Sequence, residues 1–114
     1  MARIYKILGA DEWQAAQAEG VFAGSGVDLA DGFIHFSTAG QAPETCAKHF
    51  AGRADLVILE LDADHLGPSL QWEPSRGGDL FPHLYMELDL GHVLEWRLIT
   101  LTEAGAHDLA DLRE

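Results

Sequence analysis

Residues 55–62 read DLVILELD. Leu56, Val57, Ile58, Leu59 and Leu61 form a nearly unbroken apolar run, the pattern of a central strand covered on both faces. Glu60 shares a face with Leu56 and Ile58, where a carboxylate is either paired or at an exposed strand end; the exposed end is the expectation. A strand of this kind needs partners on both sides, and the flanking segments supply them. Residues 3–8 (RIYKIL) have strand composition, and Asp11-x-x-Gln14 resembles a capping box that opens a short helix running to Gly20. Residues 21–32 (VFAGSGVDLADG) have loop chemistry, and residues 33–37 (FIHFS) form a β-rich run. Thr38-x-x-Gln41 is a second capping box, after which Ala42, Cys46, His49 and Phe50 recur at helical spacing until Gly52 stops the helix.

Beyond a turn at Gly67-Pro68 lie extended pieces at 70–73 and 80–85, with Trp72 expected to be buried. In residues 92–101 (HVLEWRLITL), Leu94, Trp96 and Leu98 alternate toward one face, and the tail 102–114 is read as a terminal helix. Together these elements predict one α+β domain over residues 1–114, with a mixed β-sheet of about five to seven strands and two or three helices.

Composition narrows the function. A chain of 114 residues with 47% hydrophobic content and three tryptophans can bury a core of its own. Its net charge of −12 argues against nucleic-acid binding. No run approaches the roughly 18 apolar residues of a membrane span, and MARIYKILGADEW turns polar too soon for a secretory signal. Cys46 is the lone cysteine, so no internal disulfide forms; it is read as a small buried apolar residue, and the cytoplasm is the expected compartment.

Chemistry concentrates in two strands and the turn between them. Alternation on 33–37 puts Phe33, His35 and Ser37 on one face and Ile34 and Phe36 on the other. The same rule groups Phe81, His83 and Tyr85, while Pro82 lacks a ladder donor and predicts an edge or cleft-lining strand. Between them, Ser75, Arg76, Gly77 and Gly78 offer a guanidinium fork and glycines that let backbone N–H groups approach a ligand, an anion clamp. The plainer reading is a tight turn in which Arg76 pairs with Glu73 or Asp79. His49, His65, His92 and His107 are read as surface residues. A metal set of His35, His83 and Glu73 can be written down, but its members lack the short fixed spacing of a metal motif, and no metal is expected. No P-loop or dinucleotide fingerprint is present.

The blocks DGFIHFST (31–38) and LQWEPSRGGDLFPHLY (70–85), flanking DLVILELD, resemble a bacterial family labelled domain of unknown function 952, from Tyr5 to about Trp96. More distantly, the order of motifs resembles the ADP-ribosyltransferase-like fold and the catalytic half of the NAD-dependent RNA 2′-phosphotransferases. In that resemblance FIHFS stands for a histidine-bearing strand, VILELDA (57–63) for the central strand, and EPSRGGDLFPH (73–83) for the late ligand-flanking block. It implies a nicotinamide-ribose pocket lined by His35 and by Ser75 to Gly78, with NAD as the implied cofactor. Lys6 stands where the first strand's ribose-binding His or Arg would be, and the late block offers Arg76 without the glutamate that many mono-ADP-ribosyltransferases use.

The expected site therefore has His35, Glu73 and Arg76 in catalytic roles and Ser37, Thr38, Ser75, Gly77, Gly78 and His83 around a small phosphorylated or nucleotide-like ligand. Arg76 would hold an anionic group, His35 a ribose hydroxyl, and Glu73 the positive charge developing at a glycosidic carbon. The alternative is a non-enzymatic binding module, which the Lys6 departure favours.

Overall fold

The computed structural model describes residues 2–114, except that the Arg76 side chain lies outside the described residues. In chain order the elements are β1 (Arg3–Gly9), α1 (Ala10–Glu19), β2 (Val21–Phe22), α2 (Val27–Asp31), β3 (Ile34–His35), α3 (Ala42–His49), β4 (Leu56–Asp62), β5 (Leu70–Pro74), β6 (Leu80–Leu84), β7 (Leu88–Asp89) and β8 (Val93–Leu98). Strand β4 is central as expected, antiparallel to β1 on one side and to β8 on the other. Its alternation feeds two cores. Val57, Leu59 and Leu61 join Ile4, Leu8 and Trp13 on one face, and Leu56 and Ile58 join Tyr5, Ile7 and Cys46 on the other.

A second three-stranded sheet has the order β3-β6-β5, and β2 pairs with β7. Tyr5 and Ser37 exchange backbone hydrogen bonds of 2.7 and 2.9 Å, stitching β1 to the chain just after β3. Every pairing among the described strands is antiparallel, which corrects the expected mixed sheet. Strand β6 is also not an edge: it runs between β3 and β5 despite Pro82. Pro82 accepts a hydrogen bond from the Phe36 N–H at 3.0 Å but has no N–H to return, and the β3 ladder ends there, after His35↔His83.

The first helix begins two residues earlier than the Asp11 signal predicts, with Gly9 as its N-cap. Glu12 accepts from the Gly9 N–H at 2.9 Å, and Gly20 closes the helix at φ 82°, a left-handed position that favours glycine. The two hydrogen bonds of the second box form, Thr38 Oγ1 accepting from the Gln41 N–H and Gln41 Oε1 from the Thr38 N–H, but in the turn before α3, whose N-cap is Gln41.

Other expectations are corrected. Segment 21–32 holds β2 and α2 and is not a plain loop. The tail 102–114 forms turns, because Leu101 pairs with His107 across a turn with Gly105 at φ 84°; Leu109 and Leu112 then pack on the second core. Trp72 is 41% exposed on the edge strand β5. Leu94, Trp96 and Leu98 are exposed because β8 is a sheet edge, with Trp13 meeting only one side of Trp96 at 5.4 Å between ring centroids. Glu60 is paired, meeting Arg3 at 3.1 Å and Arg113 at 3.3 Å, and is not at an exposed strand end. Among the described residues no helix is long and apolar enough to cross a membrane.

Candidate functional site

Alternation on β3 sends Ile34 and Phe36 into the first core and leaves His35 and Ser37 on the opposite side. His35 lies directly across the ladder from His83 of β6, so the two imidazoles share a face with ring centroids 5.4 Å apart. Phe33 backs both, stacked on His83 at 4.1 Å and tilted against His35 at 4.5 Å.

Beneath this pair lies a buried charge cluster. The Asp28 side chain, 2% exposed, accepts from Lys6 Nζ at 2.9 Å, from His35 Nδ1 at 2.6 Å and from the His35 backbone N–H at 3.0 Å. Burial alone would raise the pKa of Asp28, but the His35 hydrogen bonds and the Lys6 charge outweigh it and hold the carboxyl at about 2. Burial pushes Lys6 the other way, lowering its pKa against the pull of Asp28; its ammonium also donates to the His35 carbonyl at 3.0 Å. Lys6, which departs from the ribose-binding residue of the resemblance, is thus the counter-ion of Asp28. The second His35 nitrogen, Nε2, meets Asp31 at 2.9 Å.

His83 is held separately. Glu73 Oε1 accepts from His83 Nδ1 at 2.8 Å and from the Tyr85 hydroxyl at 2.6 Å, and these bonds, Tyr85 first, lower the pKa of Glu73. Carboxylates on Nδ1 of both rings fix their orientations, a second layer behind the imidazoles.

Lys6, Asp28, Asp31, His35 and His83 border a cavity of ≈ 610 Å³. Of the expected site residues, His35, Ser37, Ser75 and His83 line it together, although β3 and β6 are far apart in sequence. The Ser37 hydroxyl shares a 2.9 Å hydrogen bond with Thr45 on its wall. Glu73 is not on the wall and touches the cavity only through His83. Thr38 is not on the wall; its hydroxyl accepts from the Gln41 N–H in the turn before α3. Gly77 and Gly78, at φ 70° and 83°, shape the turn after β5, which Ser75 and Asp79 close at 2.9 Å. The Arg76 side chain, assigned the anion clamp, is outside the described residues. Among the described residues no group of three or more metal-ligating side chains is placed to hold a metal ion.

Several lining residues escaped the sequence reading: Asp28, Asp31, Lys48 and Arg53; Lys6 had been noted at the ribose-binding position of the resemblance, and His49, read as a surface residue, is exposed and also lines the cavity. Asp31 stands four residues before His35, but α2 ends at Asp31 and His35 lies on β3, so no helical or strand period linked the two in sequence. Cys46 is buried, and burial alone pushes its thiol to about 11, as befits an inert core residue.

A family model described as "Protein of unknown function (DUF952)" matches residues 7–96. No match is found among curated proteins. The chain is similar to protein CC0527 of Caulobacter crescentus: its crystal structure shares 52% identity, covers 96% of each chain and superposes with a TM-score of 0.92. The solution NMR structure of that protein gives 52% identity, a TM-score of 0.88 and coverage of 97% of this chain and 96% of the other. A double-methionine variant gives 50% identity, 96% of each chain and a TM-score of 0.91.

Proposed function

The chain belongs to the DUF952 family of unknown function, and we propose that its cavity binds a small anionic, nucleotide-like ligand against the His35–His83 face. One observation carries this reading. In a protein of net charge −12, three of the seven Lys and Arg residues (Lys6, Lys48 and Arg53) line this cavity, against three of the nineteen acids (Glu12, Asp28 and Asp31). Asp28 is already neutralised by Lys6, which leaves Lys48 with no ion-pair partner among the described residues. The volume falls within the ~300–1,000 Å³ typical of small-molecule sites. The rings of Phe81 and His83 on the cavity wall suit a heterocycle, and the Ser37 and Thr45 hydroxyls suit a sugar.

NAD and ADP-ribose are the ligands that the ADP-ribosyltransferase-like resemblance puts first, with that fold relationship and ADP-ribosyl transfer forming part of the proposal. His35 would hydrogen-bond a ribose hydroxyl, and Arg76 keeps its anion-holding role on the sequence argument alone. Glu73 is assigned a positioning role behind His83. The cytoplasm is the proposed setting, and nucleic acid is not among the proposed partners.

Binding without turnover is the second reading. It is favoured by the engagement of both candidate carboxylates: Glu73 is directed to His83 and Tyr85, and Asp28 to Lys6 and His35, so neither is free for a reacting carbon.

Calorimetric titration with NAD, ADP-ribose, ADP and pyrophosphate tests the proposal. Saturable binding of at least one is expected, weakened about three- to tenfold in Lys48→Ala, as loss of a partly exposed charged contact predicts. Lys48 is exposed, so the variant should melt with the parent. A folded protein that binds none of the four would refute the reading.

A further inference from the structure

We infer that the point now filled by the Asp31 carboxylate, 2.9 Å from His35 Nε2, is the subsite for an anionic oxygen of the ligand, with Asp31 a built-in competitor for it. This rests on the anion-binding reading of the cavity proposed above.

The two carboxylates on His35 differ in kind. Asp28, 2% exposed, holds Nδ1, takes the Lys6 ammonium and accepts from the Ser25 and His35 backbone N–H groups, so it cannot leave without stranding a buried cation. Asp31 is 45% exposed, and among the described residues its side chain meets only His35. Since Asp28 already orients the ring, the Asp31 contact is superfluous to that task. Nε2 is the ring nitrogen left for a ligand in the cavity, and both His35 and Asp31 line it.

Asp31 also rides on the five-residue α2, whose Val27 and Leu29 are 53% and 66% exposed, so little packing fixes its side chain. Turning one exposed side chain would free Nε2. With Nδ1–H given to Asp28, Nε2 donates in the imidazolium form of the ring; a carboxylate accepting from that Nε2–H presents the geometry that a phosphate oxygen would present, so Asp31 marks where the ligand's anion sits. Asp31 lowers affinity twice, by occupying the donor and by adding a like charge.

Pyrophosphate binding to the wild type, Asp31→Ala and Asp31→Ala/His35→Gln tests this by calorimetry. Removal of Asp31 is expected to tighten binding about three- to tenfold, the scale of one partly exposed charged contact. The gain should vanish when His35 is also replaced. Binding to the wild type that Asp31→Ala leaves unchanged or weakens overturns the inference while the anion-binding reading stands, and a gain undiminished in the double variant overturns it too. No pyrophosphate binding by any of the three overturns the inference, and the anion-binding reading falls with it only if NAD, ADP-ribose and ADP also fail to bind the wild type. Because Asp31→Ala alone is decisive on affinity, poor folding of the double variant does not blunt the test: ring-nitrogen NMR of the single variant must then show pyrophosphate moving the His35 Nε2 signal, and a still signal overturns the inference.

Discussion

Asp28→Asn is expected to lower the stability of this protein by about 3–5 kcal/mol, the cost of removing one partner of a buried ion pair. The penalty arises less from the lost attraction than from the Lys6 ammonium left behind, 8% exposed and without a counter-charge. For a chain of this length the melting temperature should fall by roughly 10–20 °C. Lys6→Met in the same background should recover much of the loss, since an apolar stem of similar length replaces the stranded charge; a double-mutant cycle by thermal or urea unfolding measures the coupling.

The pH dependence follows from the depressed pKa of Asp28. With the folded-state value at about 2 and the ordinary value at 3.8, its contribution is complete above about pH 4 and is lost as pH falls through about 2. The wild type should therefore lose stability across that window more steeply than Asp28→Asn. If Asp28→Asn melted within a degree or two of the parent, the buried pair could not be the anchor of the site.

Leu59→Ala carries the next largest expected effect, about 2–5 kcal/mol, because the side chain is 0% exposed at the middle of β4 and leaves a cavity in the first core. Trp72→Ala, although it removes a far larger side chain, should cost less than about 1 kcal/mol, because the ring is 41% exposed on an edge strand. Urea midpoints of the two variants check the ordering. A reversal would mean that β5 is buried by a contact outside this chain.

How much of this could be read from the residues depends on periodicity. The run Leu56 to Leu61 announced a covered central strand, and two-residue alternation placed His35 with Ser37 and Phe81 with His83; the ladder then made His35 and His83 neighbours. Trp72 misled because composition does not tell an edge strand from an inner one; of the two readings Pro82 allowed, the edge fails, since a strand can tolerate proline where its partner's ladder ends, while the cleft-lining strand holds, with Phe81 and His83 on the cavity wall. Asp28 and Asp31 were hidden in a helix of five residues between Gly26 and Gly32, too short to show a helical period. Glu73 was assigned to the reacting centre as the carboxylate that would stabilise positive charge at a glycosidic carbon. Register instead sets it opposite Phe81, from where it reaches His83 and Tyr85 diagonally.

The six histidines supply a direct measurement of the central proposal, because His35, His49 and His83 line the cavity while His65 and His92 do not. Ring-nitrogen NMR of histidine-labelled protein, titrated with ADP-ribose, should move the His35 and His83 signals along one saturation curve and leave His65 and His92 in place. Signals of His35 and His83 that stay fixed at saturating ADP-ribose, or shifts confined to His65 and His92, would contradict a ligand site on the His35–His83 face.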